Sequence, residues 1–144
     1  MIIEEFENIK IAYMRRVGEY GKENKKLMEI FKEYLKENRL FDENTVLVGI
    51  ALDNPTEKPA TMQRYDVGII VRDELDYDLP IREIANGEYA IFEVPHTKED
   101  IMHFWKNIQN ITANLPVDTS KPIIERYSNY KINSQLCEFC IPLK

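Results

Sequence analysis

The order of predicted secondary structure constrains the fold of this chain more than any other feature of its sequence. Alternating or continuous apolar runs predict strands, and apolar residues three and four apart predict helices. Because strand, helix, strand and strand occur twice, the second time with a hairpin of two strands before the helix, we expect an α+β fold of two βαββ halves, about 1–75 and 76–144, in a single domain over 1–144. The predicted elements are a strand near 9–14, a helix at 22–38, strands at 46–52, 65–71, 79–85 and 89–94, a helix at 98–113, and strands at 123–130 and 135–141.

Apolar patterning predicts how these elements pack. The run at 46–52 is almost wholly apolar, which is typical of a strand covered on both faces. Asn86-Gly87 is a tight-turn pair and predicts a hairpin between its two flanking strands. Each helix can cover one side of an antiparallel sheet, and we expect a ligand cleft on the other side, between the halves. The apolar stripes are Leu27, Phe31, Tyr34 and Leu35 in the first helix, and Ile101, Phe104, Trp105, Ile108 and Ile111 in the second.

Composition excludes several classes of function. The net charge of −6 argues against nucleic acid as a direct partner, because phosphate binding needs a basic surface. The same charge is compatible with a cationic small molecule or with a basic protein surface. No apolar run approaches the length of a membrane span, and the N-terminus lacks the basic and apolar regions of a signal peptide. We therefore expect a reduced, cytoplasmic protein that does not contact the membrane.

Glu125 is an acidic residue inside a segment that otherwise predicts a strand, Pro122-Ile123-Ile124-Glu125-Arg126-Tyr127. Side chains alternate along a strand, so Ile123, Glu125 and Tyr127 share one face. A carboxylate between an aliphatic and an aromatic side chain is costly to bury unless a partner compensates its charge. The partner is either an internal Arg or Lys or a bound cation. The adjacent Arg126 points to the opposite face, which favours a bound cation.

The spacing of the cysteine and histidine residues predicts no metal site, and we expect no cofactor. Cys137 and Cys140 have the spacing of a redox pair or half a zinc site, but residues three apart on a strand face opposite sides. We interpret both as small apolar core residues. His96 and His103 show no third ligand and are expected at the surface. Glu138, on the last predicted strand, either adds a second negative charge near Glu125 or is a solvated strand residue, and the second alternative is favoured.

Several segments, in order, resemble a known family: the gyrase-inhibitor-like (GyrI-like) small-molecule-binding domain, which also forms the effector-binding domain of AraC- and MerR-type multidrug transcription regulators. No single segment is specific, but their order and spacing are, and they extend over most of the chain. The matching segments are Ile11-Ala12-Tyr13-Met14-Arg15 with Val17-Gly18-Glu19-Tyr20, Val48-Gly49-Ile50-Ala51-Leu52-Asp53-Asn54-Pro55, Arg64-Tyr65-Asp66-Val67-Gly68-Ile69, Ile84-Ala85-Asn86-Gly87-Glu88-Tyr89-Ala90-Ile91-Phe92, Trp105, Pro122-Ile123-Ile124-Glu125-Arg126-Tyr127 and Ile141-Pro142-Leu143.

This resemblance implies tandem SHS2-like modules, a standalone effector-binding domain and a central cleft for hydrophobic, cationic, aromatic compounds. In that cleft Glu125 is the counter-ion, and aromatic side chains form the walls through ring faces and stacking. Asn114 stands where the family usually has Trp, which affects the expected size of the pocket. The predicted aromatic residues are Tyr20, Tyr127, Tyr65, Tyr13, Phe92 and Trp105.

Two other functions remain open from the sequence. Some relatives of the family hydrolyse electrophilic compounds, and in that case Glu125 would act as a general base on water, with Tyr20 or Tyr127 as the acid. The third alternative is a protein-interaction module of the gyrase-inhibitory type, in which the acidic surface meets a basic protein partner.

Overall fold

Eight strands form one antiparallel sheet in the computed structural model, which describes all residues from Met1 to Lys144. The sheet order is β1-β6-β8-β7-β3-β4-β2-β5, so the α+β class predicted from the sequence is confirmed. The strands are β1 (Ile2–Phe6), β2 (Lys10–Val17), β3 (Val46–Ala51), β4 (Arg64–Ile70), β5 (Ile81–Glu83), β6 (Gly87–Pro95), β7 (Ile124–Ser128) and β8 (Leu136–Pro142). The helices are α1 (Lys22–Glu37), α2 (Lys98–Lys106), α3 (Ile108–Ile111) and α4 (Asn129–Asn133), with one 3-10 turn at Ala60–Met62.

The sheet consists of two rows of four strands, β5-β2-β4-β3 and β1-β6-β8-β7, which meet where β3 pairs with β7. In each row, the two strands nearest the junction follow a helix in the chain, as the sequence predicts: β3 and β4 follow α1, and β7 and β8 follow α2. The two edge strands are exchanged between the rows: β1 precedes β2 in the chain but pairs with β6, and β5 precedes β6 but pairs with β2. Because each exchanged strand is followed in the chain by a strand of the other row, each exchange connects the two rows. A division into duplicated halves stays a prediction.

Both long helices pack on the same face of the sheet. Phe31 and Leu35 of α1 are fully buried with Val67 of β4, and Phe104 of α2 stacks on Phe139 of β8 with ring centroids 4.4 Å apart. We call this the helix face. The other side of the sheet, the opposite face, has its own apolar cluster, in which Phe6 stacks on Tyr89. The sheet therefore carries a core on both sides, which explains the nearly continuous apolar sequence of β3.

The predicted hairpin around Asn86-Gly87 is wrong. β5 pairs with β2 and β6 pairs with β1 and β8, so the two strands that flank this turn do not pair with each other. The edge of β6 is taken by β1, a strand that the sequence pattern did not reveal because its apolar and acidic residues do not alternate regularly. The amide of Asn8 donates to the side chain of Asn86 where the two connections pass each other.

The second helix is shorter than predicted. It begins as expected, with the Thr97 side chain accepting from the amide of Asp100. It ends at Lys106, where the side-chain amide of Asn107 donates to the carbonyl of His103 at 2.9 Å, and the separate α3 follows. Trp105 was predicted in the buried stripe, but its side chain is 38% exposed. The short helix α4 between β7 and β8 was also not predicted. No helix of the structure is both long and apolar enough to cross a membrane.

Charged residues are buried on the opposite face. Arg126 donates to both Glu138 and Glu4, with an Nε–Oε1 distance of 3.0 Å to Glu138. Burial lowers the pKa of Arg126, but the hydrogen bonds to the two carboxylates outweigh burial and raise it. Both alternatives predicted for Glu138 are therefore wrong. It is buried rather than solvated, and it lies across the sheet from Glu125 rather than beside it.

Cys137 and Cys140 are both free and buried, on different faces of the sheet, which confirms the interpretation as core residues. His96 and His103 are exposed, as predicted.

Candidate functional site

Glu125 lies near the middle of the sheet on the helix face, between the regions covered by α1 and α2. Its strand neighbours are Gly49 of β3 and Phe139 of β8. The carboxylate accepts a hydrogen bond from the hydroxyl of Tyr127, which is two residues away on the same face. Burial raises the pKa of Glu125, and the Tyr127 hydrogen bond offsets only part of that rise. The side chain nevertheless keeps partial exposure, because it borders a cavity.

No cationic side chain forms an ion pair with Glu125. Arg126 points to the opposite face, as the strand alternation predicts, and its guanidinium is shared between Glu138 and Glu4. The ion pairs of the chain involve other carboxylates, and the only side-chain hydrogen bond to Glu125 comes from a neutral hydroxyl. The alternative of an internal Arg or Lys partner therefore finds no support in the structure.

Gly49 makes room for the hydroxyl groups beside Glu125. A Cβ atom at this position would lie 2.2 Å from the hydroxyl oxygen of Tyr65 and 3.7 Å from Oε2 of Glu125. The Tyr65 hydroxyl thus occupies the space that the side chain of any residue other than glycine would need at position 49. Burial, and then the charge of Glu125, raise the pKa of Tyr65, so its hydroxyl stays neutral and available as a hydrogen-bond donor.

We expect Gly49→Ala to disturb this arrangement measurably. The added methyl group forces Tyr65 to move, and overpacking of this kind costs about 1–3 kcal/mol of unfolding free energy. Urea denaturation of the single variants and of Gly49→Ala/Tyr65→Phe measures the coupling between the two positions. Removal of the hydroxyl should recover part of the loss, and a Gly49→Ala protein as stable as wild type would contradict the steric argument.

The cavity that reaches Glu125 has a volume of about 340 Å³, within the range of small-molecule sites. It lies on the helix face beside the junction of the two rows, where β3 pairs with β7. One wall is the connection after β3, which includes Asp53, and another is the segment 117–123 before β7. Trp105 of α2 completes the wall, and its exposure follows from this position. Its ring stands edge-on to Phe139 with centroids 5.2 Å apart. The predicted cleft on the side away from the helices is therefore wrong, because the cavity opens on the helix face.

The negative charges around the cavity differ in their availability. Asp53 accepts from Arg64 and Lys58, and the hydrogen bonds from Arg64 hold its pKa far below the ordinary value despite its desolvation. Asp118 is bound by the amide and hydroxyl of Ser120. Glu125 has only the Tyr127 hydroxyl. It is therefore the least compensated of these three carboxylates.

The structure brings together some of the predicted aromatic residues and separates others. Tyr127 and Tyr65 lie at Glu125, and Trp105 lines the cavity. Tyr20 does not line the cavity but positions one of its walls. Its hydroxyl donates to the carbonyl of Arg64 at 2.8 Å and accepts from the amide of Asp53, and these bonds hold the connection after β3 in place. Its ring also packs edge-on against Tyr65.

Phe92 and Tyr13 lie away from the cavity. Phe92 packs against Phe104 under α2, with ring centroids 5.8 Å apart. Tyr13 is on the opposite face, where the guanidinium groups of Arg15 and Arg82 each lie 5.4 Å from its ring centroid. Both arginines pair with the fully buried Asp66. Tyr13 therefore belongs to a buried ion network and does not meet Glu125.

Sequence reasoning missed Gly49 and the cavity segment at Asp118 and Lys121. Gly49 lies in one of the segments that resemble the family, but only its register with Glu125 reveals why a side chain is excluded there. Asp53 lies in the same family segment, and no local pattern marks it as part of a cavity wall. Asp118 and Lys121 follow the second helical region in a stretch rich in turn-forming residues, and no local pattern marks that stretch as a cavity wall.

A cavity of this size, with mixed apolar and polar walls and one carboxylate that has no cationic partner, defines the class of small-molecule-binding α+β domains. The chain belongs to the family of GyrI-like small molecule binding domains, whose profile matches residues 1–144. The resemblance stated from the sequence is thereby confirmed.

Relatives and solved structures agree with this assignment. The chain is 41% identical over 146 residues to the "SPbeta prophage-derived putative transcriptional regulator YosT" of Bacillus subtilis (strain 168), covering 99% of this chain and 97% of that protein. Its fold is similar to that of the EcmrR C-terminal domain, with a TM-score of 0.66, 12% identity, and coverage of 99% and 96%. It is also similar to SAV2435 bound to tetraphenylphosphonium, with a TM-score of 0.63, 12% identity, and coverage of 99% and 93%.

Proposed function

We propose that this protein binds hydrophobic, cationic, aromatic small molecules in the cavity at Glu125 and serves in the sensing or sequestration of such compounds. The observation that carries the proposal is the Glu125 carboxylate, which borders a cavity of about 340 Å³ and has no cationic partner within the chain. A cation that enters the cavity supplies the missing charge. It also stabilises the ionised form of a carboxylate whose pKa burial has raised.

The cavity walls suit the aromatic part of such a ligand. Trp105 exposes its ring toward the cavity, and Ile123 and Val117 add apolar surface. A flat or tetrahedral aromatic cation thus gains ring contacts from Trp105 and charge compensation from Glu125. The ligand-bound SAV2435 structure shares this fold, and its ligand is a cation of the proposed chemistry. A link to transcription regulation is proposed from the name of the YosT relative.

A pair of probes with the same shape and opposite charge tests the proposal. We expect tetraphenylphosphonium to raise the melting temperature of the protein in a saturable way, since a ligand that binds only the folded state stabilises it according to its occupancy. Tetraphenylborate, which carries the same four rings with a negative charge, should produce no comparable shift. Equal stabilisation by both ions would contradict a role for the carboxylate, and no stabilisation by either would contradict the proposed ligand class.

Hydrolysis of electrophilic small molecules in the same cavity is a second candidate function. The pKa of Glu125 is raised, as a general base requires, and the hydroxyl of Tyr127 lies directly beside it. Tyr20, the other acid considered from the sequence, has its hydroxyl bound to backbone groups. Incubation with a simple aromatic epoxide, followed by mass spectrometry of the diol, separates turnover from binding. The protein-interaction alternative stays a prediction.

A further inference from the structure

We propose that a second cavity, next to the Tyr127 ring and distinct from the cation site, binds the anionic group of a small molecule, a carboxylate or a phosphate, between Lys32 and Lys36. This cavity, which we call the basic cavity, has a volume of about 140 Å³. Its lining includes both lysines of α1, the rings of Phe41 and Tyr127, and the polar side chains of Thr45 and Asn129. The proposal does not depend on the function proposed for Glu125.

The two lysines are not neutralised within the chain. They stand four residues apart on α1 and therefore project from the same side of the helix, where like charges repel. Neither forms an ion pair, although the chain carries an excess of acidic residues. Lys36 extends over the Phe41 ring, with Nζ 5.3 Å from its centroid. An anion between the two ammonium groups would relieve their repulsion and form charge-assisted hydrogen bonds with both.

The nearby acidic side chains do not pair with Lys32 or Lys36. Glu29, Glu33 and Glu37 are exposed on α1 and form no ion pair, and two other carboxylates have partners of their own. Asp42 pairs with Arg72 at 2.6 Å, and Glu93 pairs with Lys131. Glu125 lines the other cavity and accepts a hydrogen bond from the Tyr127 hydroxyl. Tyr127 therefore contacts Glu125 through its hydroxyl group and borders the basic cavity with its ring. No acidic side chain lines the basic cavity.

Polar groups inside the basic cavity suit an anion. The Thr45 hydroxyl accepts from the amide of Asp42 at 2.8 Å, and its proton is shared with the Asp42 carboxylate, whose pKa it helps to lower. The side-chain amide of Asn129 has two donor protons, of which one is used by the carbonyl of Asp42. Together with the lysines, the Asn129 amide offers donors and no free carboxylate, while Phe41 and Tyr127 provide ring surface for an attached apolar group.

His96 reports the positive potential of this region. Its ring centroid lies 5.5 Å from that of Tyr127. Although the residue is exposed overall, its ring is partly desolvated, and this desolvation, and then the charge of Lys32, lower the pKa of His96 below its ordinary value. Binding of an anion at Lys32 would cancel the second effect and raise the pKa of His96, which NMR detects through the chemical shifts of its ring protons as the pH is varied.

Titration with benzoate and with inorganic phosphate, followed by NMR, tests the proposal on the full chain. The test variant is Lys32→Gln/Lys36→Gln, and the control is Lys22→Gln/Lys25→Gln, which removes two exposed, unpaired charges from the same helix. We expect saturable shifts at Tyr127, Asn129 and His96 in the wild type and in the control. In the test variant the affinity should fall by about tenfold or more, because charged hydrogen bonds are lost.

Each outcome of this titration bears on the proposal. Saturation by benzoate alone assigns a carboxylate with an attached ring, and saturation by phosphate alone assigns a phosphate. Equal affinity in the test and control variants, or no saturable shift with either anion, overturns the proposal. In the ligand-free protein the test variant should also show a higher pKa of His96 than the control. If the double test variant does not fold, the exposed Lys36→Gln alone serves for the same comparison.

Discussion

Glu125→Gln is expected to abolish the binding of cationic aromatic ligands and to leave the fold intact. Gln has the same size and can still accept the hydrogen bond from Tyr127, so the geometry of the cavity is retained. The charge that compensates the ligand is lost, and truncation of one member of a buried charge pair costs about 2–5 kcal/mol, roughly thirty-fold to several-thousand-fold in Kd. Isothermal titration calorimetry with tetraphenylphosphonium measures this change.

The matched control for this variant is Glu83→Gln. Glu83 is exposed on β5 and forms no ion pair, so the same loss of charge at that position should leave the affinity unchanged. An equal loss of affinity in both variants would indicate that the net charge of the protein, and not Glu125, attracts the cation. A Glu125→Gln protein that is folded and binds as tightly as wild type would refute the role of this carboxylate.

The pH dependence of stability provides an independent check on Glu125. Its pKa in the folded state is raised above the ordinary value of 4.5, so between these two values the folded protein binds more protons than the unfolded chain. Wild-type stability should therefore lose a contribution as the pH rises through this window, and Glu125→Gln should not. We expect the variant to melt at a higher temperature than wild type near neutral pH, with the difference vanishing below the unfolded pKa. A difference that is constant with pH would contradict the assignment.

Arg126→Met is expected to produce the largest loss of stability among single substitutions near the site. The change leaves Glu138 buried without its cationic partner, and broken buried ion pairs of this kind cost about 3–5 kcal/mol of unfolding free energy. Glu4 is more exposed and should contribute less. Urea denaturation should show a lower midpoint with an unchanged slope, because the surface exposed on unfolding is the same.

A second variant separates the lost pair from the lost side-chain volume. In Arg126→Met/Glu138→Met no charge remains unpaired between the two strands, and most of the lost stability should return. Tetraphenylphosphonium affinity should stay at the wild-type level in both variants, since Arg126 and Glu138 lie on the opposite face of the sheet from Glu125. A stability loss below about 1 kcal/mol for Arg126→Met would be the result expected for a solvated surface pair and would contradict burial of this network.

Some parts of the site follow directly from the sequence, because they depend only on periodicity. Alternation along β7 places Glu125 and Tyr127 on one face and Arg126 on the other, whatever strands lie beside it. The helical period places Phe31 and Leu35 on the buried side of α1. The sequence therefore predicts the strand and the face of its single carboxylate without reference to any tertiary contact.

Other parts depend on which strands become neighbours. Asn86-Gly87 predicts a hairpin from local turn chemistry, yet β1, far away in the chain, occupies the edge of β6. Glu138 has the sequence context of a solvated strand residue, and only its pairing across β7 gives it Arg126 as a partner. Tyr13 and Tyr20 are both tyrosines in the first third of the chain, but one lies in an ion network on the opposite face and the other supports the cavity wall.

The sequence by itself determined most of the elements, although not β1, α3 or α4, together with their order and the face on which each residue of β7 lies, because these follow from backbone geometry within a few neighbouring residues. The tertiary structure decided the strand order, the exchange of β1 and β5, and the position of the cavity on the helix face. It also placed Gly49 under the Tyr65 hydroxyl and Lys32 and Lys36 over a cavity shared with Tyr127. These features arise from contacts between residues far apart in the chain, and no local pattern encodes them.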